Sequence, residues 1–85
     1  VVLRGGSDVE LTRTEFRLFC ELAHHLGQVL SREQLLERVW GYDYFGDSRL
    51  VDAHIHRLRL KVEESPDRPV HLLTVRGLGY KLVAP

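Results

Sequence analysis

Eighty-five residues, 44% of them hydrophobic and 28% charged, suffice for a single domain over residues 1–85, with a core near the lower limit of independent folding. Twelve basic side chains balance twelve acidic ones, which argues against a purely electrostatic binder of polyanions, and no apolar run approaches the ~20 residues needed to cross a membrane. The single cysteine, Cys20, excludes an internal disulfide and fits a reducing, cytoplasmic setting. No methionine occurs, and the apolar opening of the chain is expected of a domain cut from something longer. Charge is unevenly spread: residues 1–47 carry five Arg against eight acids, residues 48–85 seven Lys or Arg against four. Such a split can aim one end of a small domain at phosphates while the other avoids them.

In chain order, "VVLR", "GGSD" and "VELT" predict strand, turn and strand. Thr12 and Glu15 have the spacing of a capping box and predict a helix start. Phe16, Phe19, Cys20, Ala23 and Leu26 share one side of that helix and are expected in the core, with Leu18 and Leu22 off that side. An apolar arc this wide predicts a central helix packed on two sides, with Gly27 at the C′ position. Ser31 and Gln34 repeat the box and predict a second helix to about Val39, burying Leu35, Leu36 and Val39. "WGYDYFGDS" breaks the pattern, and Asp47 or Ser48 then caps a third helix over residues 48–64. "SPDRP" is a stop, and "VHLLTV" and "YKLVA" around "RGLG" predict a β-hairpin. The expected class is α+β: a three-helix core with a short N-terminal antiparallel sheet and a C-terminal hairpin.

The third helix has two distinct faces. At about 100° per residue, Val51, Ile55, Leu58 and Val62 fall in one narrow stripe, which predicts burial. Arg49, Leu50, Ala53, His56, Arg57 and Leu60 point the other way, flanked by Asp52, Arg59 and Glu63 on one edge and by His54 and Lys61 on the other. A solvated face is usually filled with paired Glu and Lys; this one holds almost no acid and has the small Ala53 at its centre. The major groove of DNA asks for close approach, arginine for guanine edges, small apolar groups for thymine methyls, and cations at the rim for phosphates. The plainer alternative is a third core helix whose outer face happens to be basic. Arg76 tips the balance, because a cation at a β-turn beside Gly77 and Gly79 suits a narrow minor groove. A helix for the major groove next to a hairpin turn, residues 76–79, for the minor groove is the winged helix-turn-helix arrangement.

Other chemistries fit less well. Cys20 and His24 lie one helical turn apart and His54 and His56 add two nitrogens, but residues two apart on a helix point about 200° away from each other, so no metal site is expected. Ser48, Asp47 and His54 have the composition of a triad, yet no strained nucleophile elbow or phosphate-cradling glycine loop accompanies them. Neither catalysis nor a cofactor is expected.

Four stretches, "LTRTEFRLFCELA", "VLSREQLLERVWG", "RLVDAHIHRLRLKV" and "LLTVRGLGYKL", follow one another as in the OmpR/PhoB family of bacterial response regulators. From about Val9 to Val83 the chain resembles the C-terminal winged-helix effector domain of that family. The resemblance implies transcription regulation within a two-component phosphorelay. An N-terminal receiver, absent from these 85 residues, would be phosphorylated by a sensor histidine kinase, and two copies would bind direct repeats in promoter DNA head to tail. By position it implies base contacts from Asp52, Ala53, His56 and Arg57, and phosphate contacts from Arg49, His54, Arg59 and Thr74. It also implies a minor-groove contact from Arg76. Asp52 is the one assignment that the helical wheel puts on a flank, where it could accept from a cytosine amino group or orient Arg49 or His56; the second role is favoured. Three residues depart from the family pattern: His56 and Leu60 stand where longer basic side chains are frequent, and Leu26 replaces a proline common in the turn after the first helix.

The loop after the second helix holds four of the seven aromatics, Trp40, Tyr42, Tyr44 and Phe45. In the family this loop often meets RNA polymerase. Trp40 continues an apolar stripe and is expected to be structural; Tyr42, Tyr44 and Phe45 are candidates for the polymerase contact. The competing function is a winged-helix module that docks on protein without specific DNA binding.

Overall fold

Two reciprocal capping boxes set the entry of the first two helices in the computed structural model, which describes residues 2–3, 7–8, 10–41 and 46–84. The Thr12 hydroxyl accepts from the Glu15 N–H at 3.2 Å and the Glu15 carboxylate from the Thr12 N–H at 2.9 Å, opening α1 (Arg13–His24). Ser31 and Gln34 repeat the exchange at 3.1 and 2.9 Å to open α2 (Arg32–Leu35). That helix continues through a π-helical turn, Leu36–Trp40, and stops at Gly41, whose φ of 107° suits only glycine. The third helix, α3 (Arg49–Val62), has Ser48 at its N-cap without a side-chain bond; Asp47 supplies the acceptor, taking the Arg49 N–H at 2.8 Å.

The described strands form two antiparallel pairs, β1 (Val2–Leu3) with β2 (Ser7–Asp8), and β3 (Leu72–Val75) with β4 (Gly79–Leu82). In the second pair Leu72 faces Leu82 and Thr74 faces Tyr80. Its turn closes with the Leu78 N–H on the Val75 carbonyl at 2.9 Å, and Gly77 at φ 78° fills the position where a type II turn needs positive φ. Beyond the turn, Tyr80 exchanges two backbone bonds with Leu30, at 2.8 and 2.9 Å. A side chain on Gly79 would overlap the Leu30 carbonyl, so glycine is what lets the hairpin lie against the chain entering α2. This is the α+β winged-helix class expected of the sequence, although the second strand is Ser7–Asp8, within the stretch expected to turn, and residues 10–12 of the expected strand "VELT" are not in a strand.

Leu18 and Leu22 from α1, Leu35 from α2, Val51, Ile55 and Leu58 from α3 and Leu72 from β3 are all at 0% exposure and form the centre of the core. The α3 stripe is therefore buried as its spacing predicts. The first helix is not packed as expected. Leu18 and Leu22 are buried, whereas Phe16, Ala23 and Leu26 are exposed and Phe19 and Cys20 only half-buried. The side of α1 that faces the core is instead completed by Glu15, 2% exposed, which the Lys61 ammonium of α3 meets at 2.5 Å. Gly27, with φ 80°, falls two residues past the helix's C-cap His25, one place later than the expected C′, and donates its N–H to the Leu82 carbonyl at 2.7 Å.

The end of α3 also differs from the expected residue 64. The helix stops at Val62 because Glu63 turns extended and inserts its carboxylate, 1% exposed, beneath the start of β3. There it accepts the N–H groups of Val70, His71 and Leu72 at 3.2, 3.0 and 2.8 Å. Three donors offset the cost of burying the carboxylate and tie the connection after α3 to the hairpin.

Candidate nucleic-acid interface

Because Val51, Ile55, Leu58 and Val62 are locked in the core, the opposite face of α3 is turned outward. Arg49, Ala53, His56, Arg57 and Leu60 are all exposed there, and none is covered by either sheet. Leu50 is the exception to the expected outward set: it is half-buried and packs against the core. The exposed strip carries two arginines and a histidine around the Ala53 methyl.

Along its edges the side chains are held by the protein itself. Arg49 pairs with Asp47 at 2.7 Å through Nε and at 2.5 Å through Nη2. The Arg49 hydrogen bond holds the Asp47 carboxyl below its usual range, but both groups are exposed, so the pair orders Arg49 more than it stabilises the fold. The His54 Nδ1 lies 3.0 Å from the Leu50 carbonyl, and its ring stands edge-on to Trp40 with centroids 5.0 Å apart. A carbonyl only accepts, so Nδ1 carries the proton in this arrangement and Nε2 is the nitrogen left to meet a ligand. Trp40 is half-buried against the core, which agrees with the structural role expected of it. Tyr42, Tyr44 and Phe45 lie outside the described residues.

Arg59 leans toward the hairpin. Its Nε donates to the Leu72 carbonyl at 3.0 Å, its Nη2 to the Thr74 hydroxyl at 2.7 Å, and the guanidinium sits 5.6 Å from the centre of the Tyr80 ring. Since the Thr74 oxygen accepts from Arg59, the hydroxyl proton of Thr74 points elsewhere and can be donated. Arg76 is exposed at the turn between β3 and β4.

Asp52 orients neither Arg49 nor His56. One of its carboxylate oxygens, Oδ1, accepts from the Arg32 Nε at 2.8 Å and from the Tyr80 hydroxyl at 2.5 Å. Burial raises the Tyr80 hydroxyl pKa and the bond to Asp52 raises it further, so the phenol stays protonated and donating. The Arg32 guanidinium is likewise held above its ordinary value by Asp52. Sequence reading missed both partners. They lie 20 and 28 residues from Asp52, beyond the reach of any periodicity, although the hydroxyl and guanidinium chemistry was present in the sequence.

Among the described residues no cluster of three or more His, Cys, Asp or Glu is placed to hold a metal, and no helix is long and apolar enough to cross a membrane.

The family described as "Transcriptional regulatory protein, C terminal" matches residues 6–82. Among solved structures, the Klebsiella pneumoniae RstA DNA-binding domain in complex with the RstA box is similar at 38% identity and a TM-score of 0.83. That match covers 95% of this chain and 80% of the other. The Bacillus subtilis CssR DNA-binding domain is 40% identical over 93% of this chain and 84% of its own, with a TM-score of 0.79. Thermotoga maritima DrrB, a response regulator described as an OmpR/PhoB homolog, matches at 35% identity and a TM-score of 0.85. There 93% of this chain accounts for only 36% of the longer protein. The chain belongs to this family of regulatory C-terminal domains, the winged-helix DNA-binding domains of OmpR/PhoB-type response regulators.

Proposed function

We propose that α3 lies along the major groove of promoter DNA with Ala53, His56 and Arg57 against base edges, while Arg76 enters the adjoining minor groove. The observation that carries this reading is the exposed strip opposite the buried Val51–Ile55–Leu58–Val62 stripe: it is open to solvent, poor in acid and centred on a methyl group. Arg57 forks onto a guanine edge, and the Ala53 methyl meets a thymine methyl or lets the helix axis approach. Arg49, His54 and the Arg59–Thr74 pair line the two edges of the helix and take phosphates, Arg59 with the N–H groups left over from its bonds to the hairpin and Thr74 with its hydroxyl proton. Arg32, held at 2.8 Å by Asp52 and half-exposed, adds a cation on the same side. The complex of the similar RstA domain with the RstA box supports DNA as the ligand.

As in the family, two copies would bind direct repeats head to tail. A receiver domain outside these residues would take its phosphoryl group from a sensor histidine kinase, and the loop holding Tyr42, Tyr44 and Phe45 would contact RNA polymerase. Selection of preferred sites from a random duplex library at two salt concentrations tests the central reading. A defined site is expected, with affinity falling steeply as salt rises because bound phosphates release counterions. A domain that enriches no sequence, or binds its partner with no salt dependence, is a protein-docking module instead.

A further inference from the structure

Asp52 joins three elements at one oxygen atom: the first residue of α2, the recognition helix and strand β4 of the wing. Seven residues further along α3, about 10 Å up the helix axis, Arg59 makes a second tie to the hairpin through the Leu72 carbonyl and Thr74. Backbone bonds to Leu30 and Gly27 and the buried Leu72, Tyr80 and Leu82 already anchor the hairpin to the core, and these two side-chain ties add a direct link to α3 at two heights along the helix. Tyr80 belongs to both, since its hydroxyl binds Asp52, its ring lies near the Arg59 guanidinium, and its backbone is bonded to Leu30. Both bonds to Asp52 fall on Oδ1, so a cytosine amino group would have to be met by Oδ2, in an orientation of the carboxylate that Arg32 and Tyr80 already fix.

Resting on the groove reading above, we propose that Asp52 is a positioning residue and not a base reader. Through Tyr80 it sets the separation between α3 and the wing turn at Arg76, and thereby the number of base pairs the domain accepts between its major-groove sequence and its minor-groove flank.

The test uses the 85-residue domain and its selected site, against the same duplex with one base pair inserted between the segment read by α3 and its A·T-rich flank. Wild type is expected to lose on the order of tenfold in affinity on insertion, about the cost of one mismatch. Tyr80→Phe, which keeps the buried ring and removes only the hydroxyl, should reduce that loss to about threefold or less while leaving the preferred bases at the α3 positions unchanged. Asp52→Ala should do the same, and Asp52→Asn, which still offers an acceptor oxygen, should restore most of the spacing penalty. A merely structural role would lower affinity for both duplexes alike and leave their ratio untouched, and that result overturns the proposal. So does an Asp52→Ala domain that changes its preference at one base pair while keeping the spacing penalty, since that identifies a direct reader. A wild-type domain with no preferred site removes the groove reading itself, and this inference with it.

Discussion

Helices α1 and α3 are similar in length, 12 and 14 residues, and both are amphipathic, yet one buries the face its spacing marks and the other does not. In α3 Val51, Ile55, Leu58 and Val62 fill one narrow stripe, and the rest of the circumference is charged or polar apart from Leu50, Ala53 and Leu60, so one orientation hides most of the apolar surface. In α1 apolar residues occur over most of the circumference, and any of several orientations would bury about as many. Neighbouring elements then decide. Leu18 and Leu22 take the core positions between α3 and α2, Phe16 and Leu26 are left 45% and 52% exposed, and the carboxylate of Glu15 enters because Lys61 meets it there. A narrow stripe carries orientation in itself; a wide one leaves it to the partners.

The sharpest way to break this contrast is by truncation on both helices. Ile55→Ala and Leu18→Ala should each cost about 2–5 kcal/mol, because a buried side chain is lost and a cavity left. Phe16→Ala, despite the larger side chain, should cost less than about 1 kcal/mol, since its ring is already partly in water. Denaturant unfolding of the three variants decides it, and a Phe16→Ala domain as weak as Leu18→Ala would reverse the packing described for α1.

On the outer face of α3 the sign of the comparison inverts: truncation there should leave stability intact and damage binding. Arg57→Ala is expected to cost about 1–3 kcal/mol on the selected site and much less on random duplex, read by titration on both. Equal losses on the two duplexes would make Arg57 a backbone contact. Arg76→Ala should weaken binding by a smaller amount, and most where the flanking minor groove is A·T-rich and narrow. Indifference to flank composition in wild type and variant alike would remove the wing from the minor groove.

The smallest effect concerns the ion pair joining the two helices. Burial pushes the Glu15 carboxyl up, but hydrogen bonds from Lys61 and Thr12, with the Lys61 charge, outweigh it and hold the group below its ordinary range. A carboxyl depressed in the folded state stabilises fully above its unfolded pKa, about 4.3, and that contribution is lost as the pH falls through the lower folded value. Unfolding midpoints measured between about pH 3 and 6 should therefore drop on acidification in wild type and do so less steeply in Glu15→Gln. Parallel acid limbs would show that Glu15 contributes nothing by its charge.

Much of the molecule was legible in advance where cause and effect lie within a few residues of each other. Both capping boxes, the buried stripe of α3 and the outward placing of Arg57 follow from spacing, and the hairpin around Gly77 from β-prone residues on either side of a glycine-containing turn. Reading Asp52 failed for the opposite reason: its partners Arg32 and Tyr80 come from other elements, and a wheel drawn on one helix shows a flank but not what stands beside it. The sequence predicts a helix running on to residue 64, because nothing local marks the three N–H groups, 7 to 9 residues downstream, that draw Glu63 out of it.

By itself, then, the order of residues determined the element sequence, the helix starts and the face of α3 that meets solvent, since backbone geometry and local hydrogen bonds act over three or four positions. Tertiary structure alone decided which arc of α1 is buried, where α3 ends, and how the wing is held against α3. Those outcomes depend on contacts such as Glu15 with Lys61, 46 residues apart, that form only when the whole core has closed.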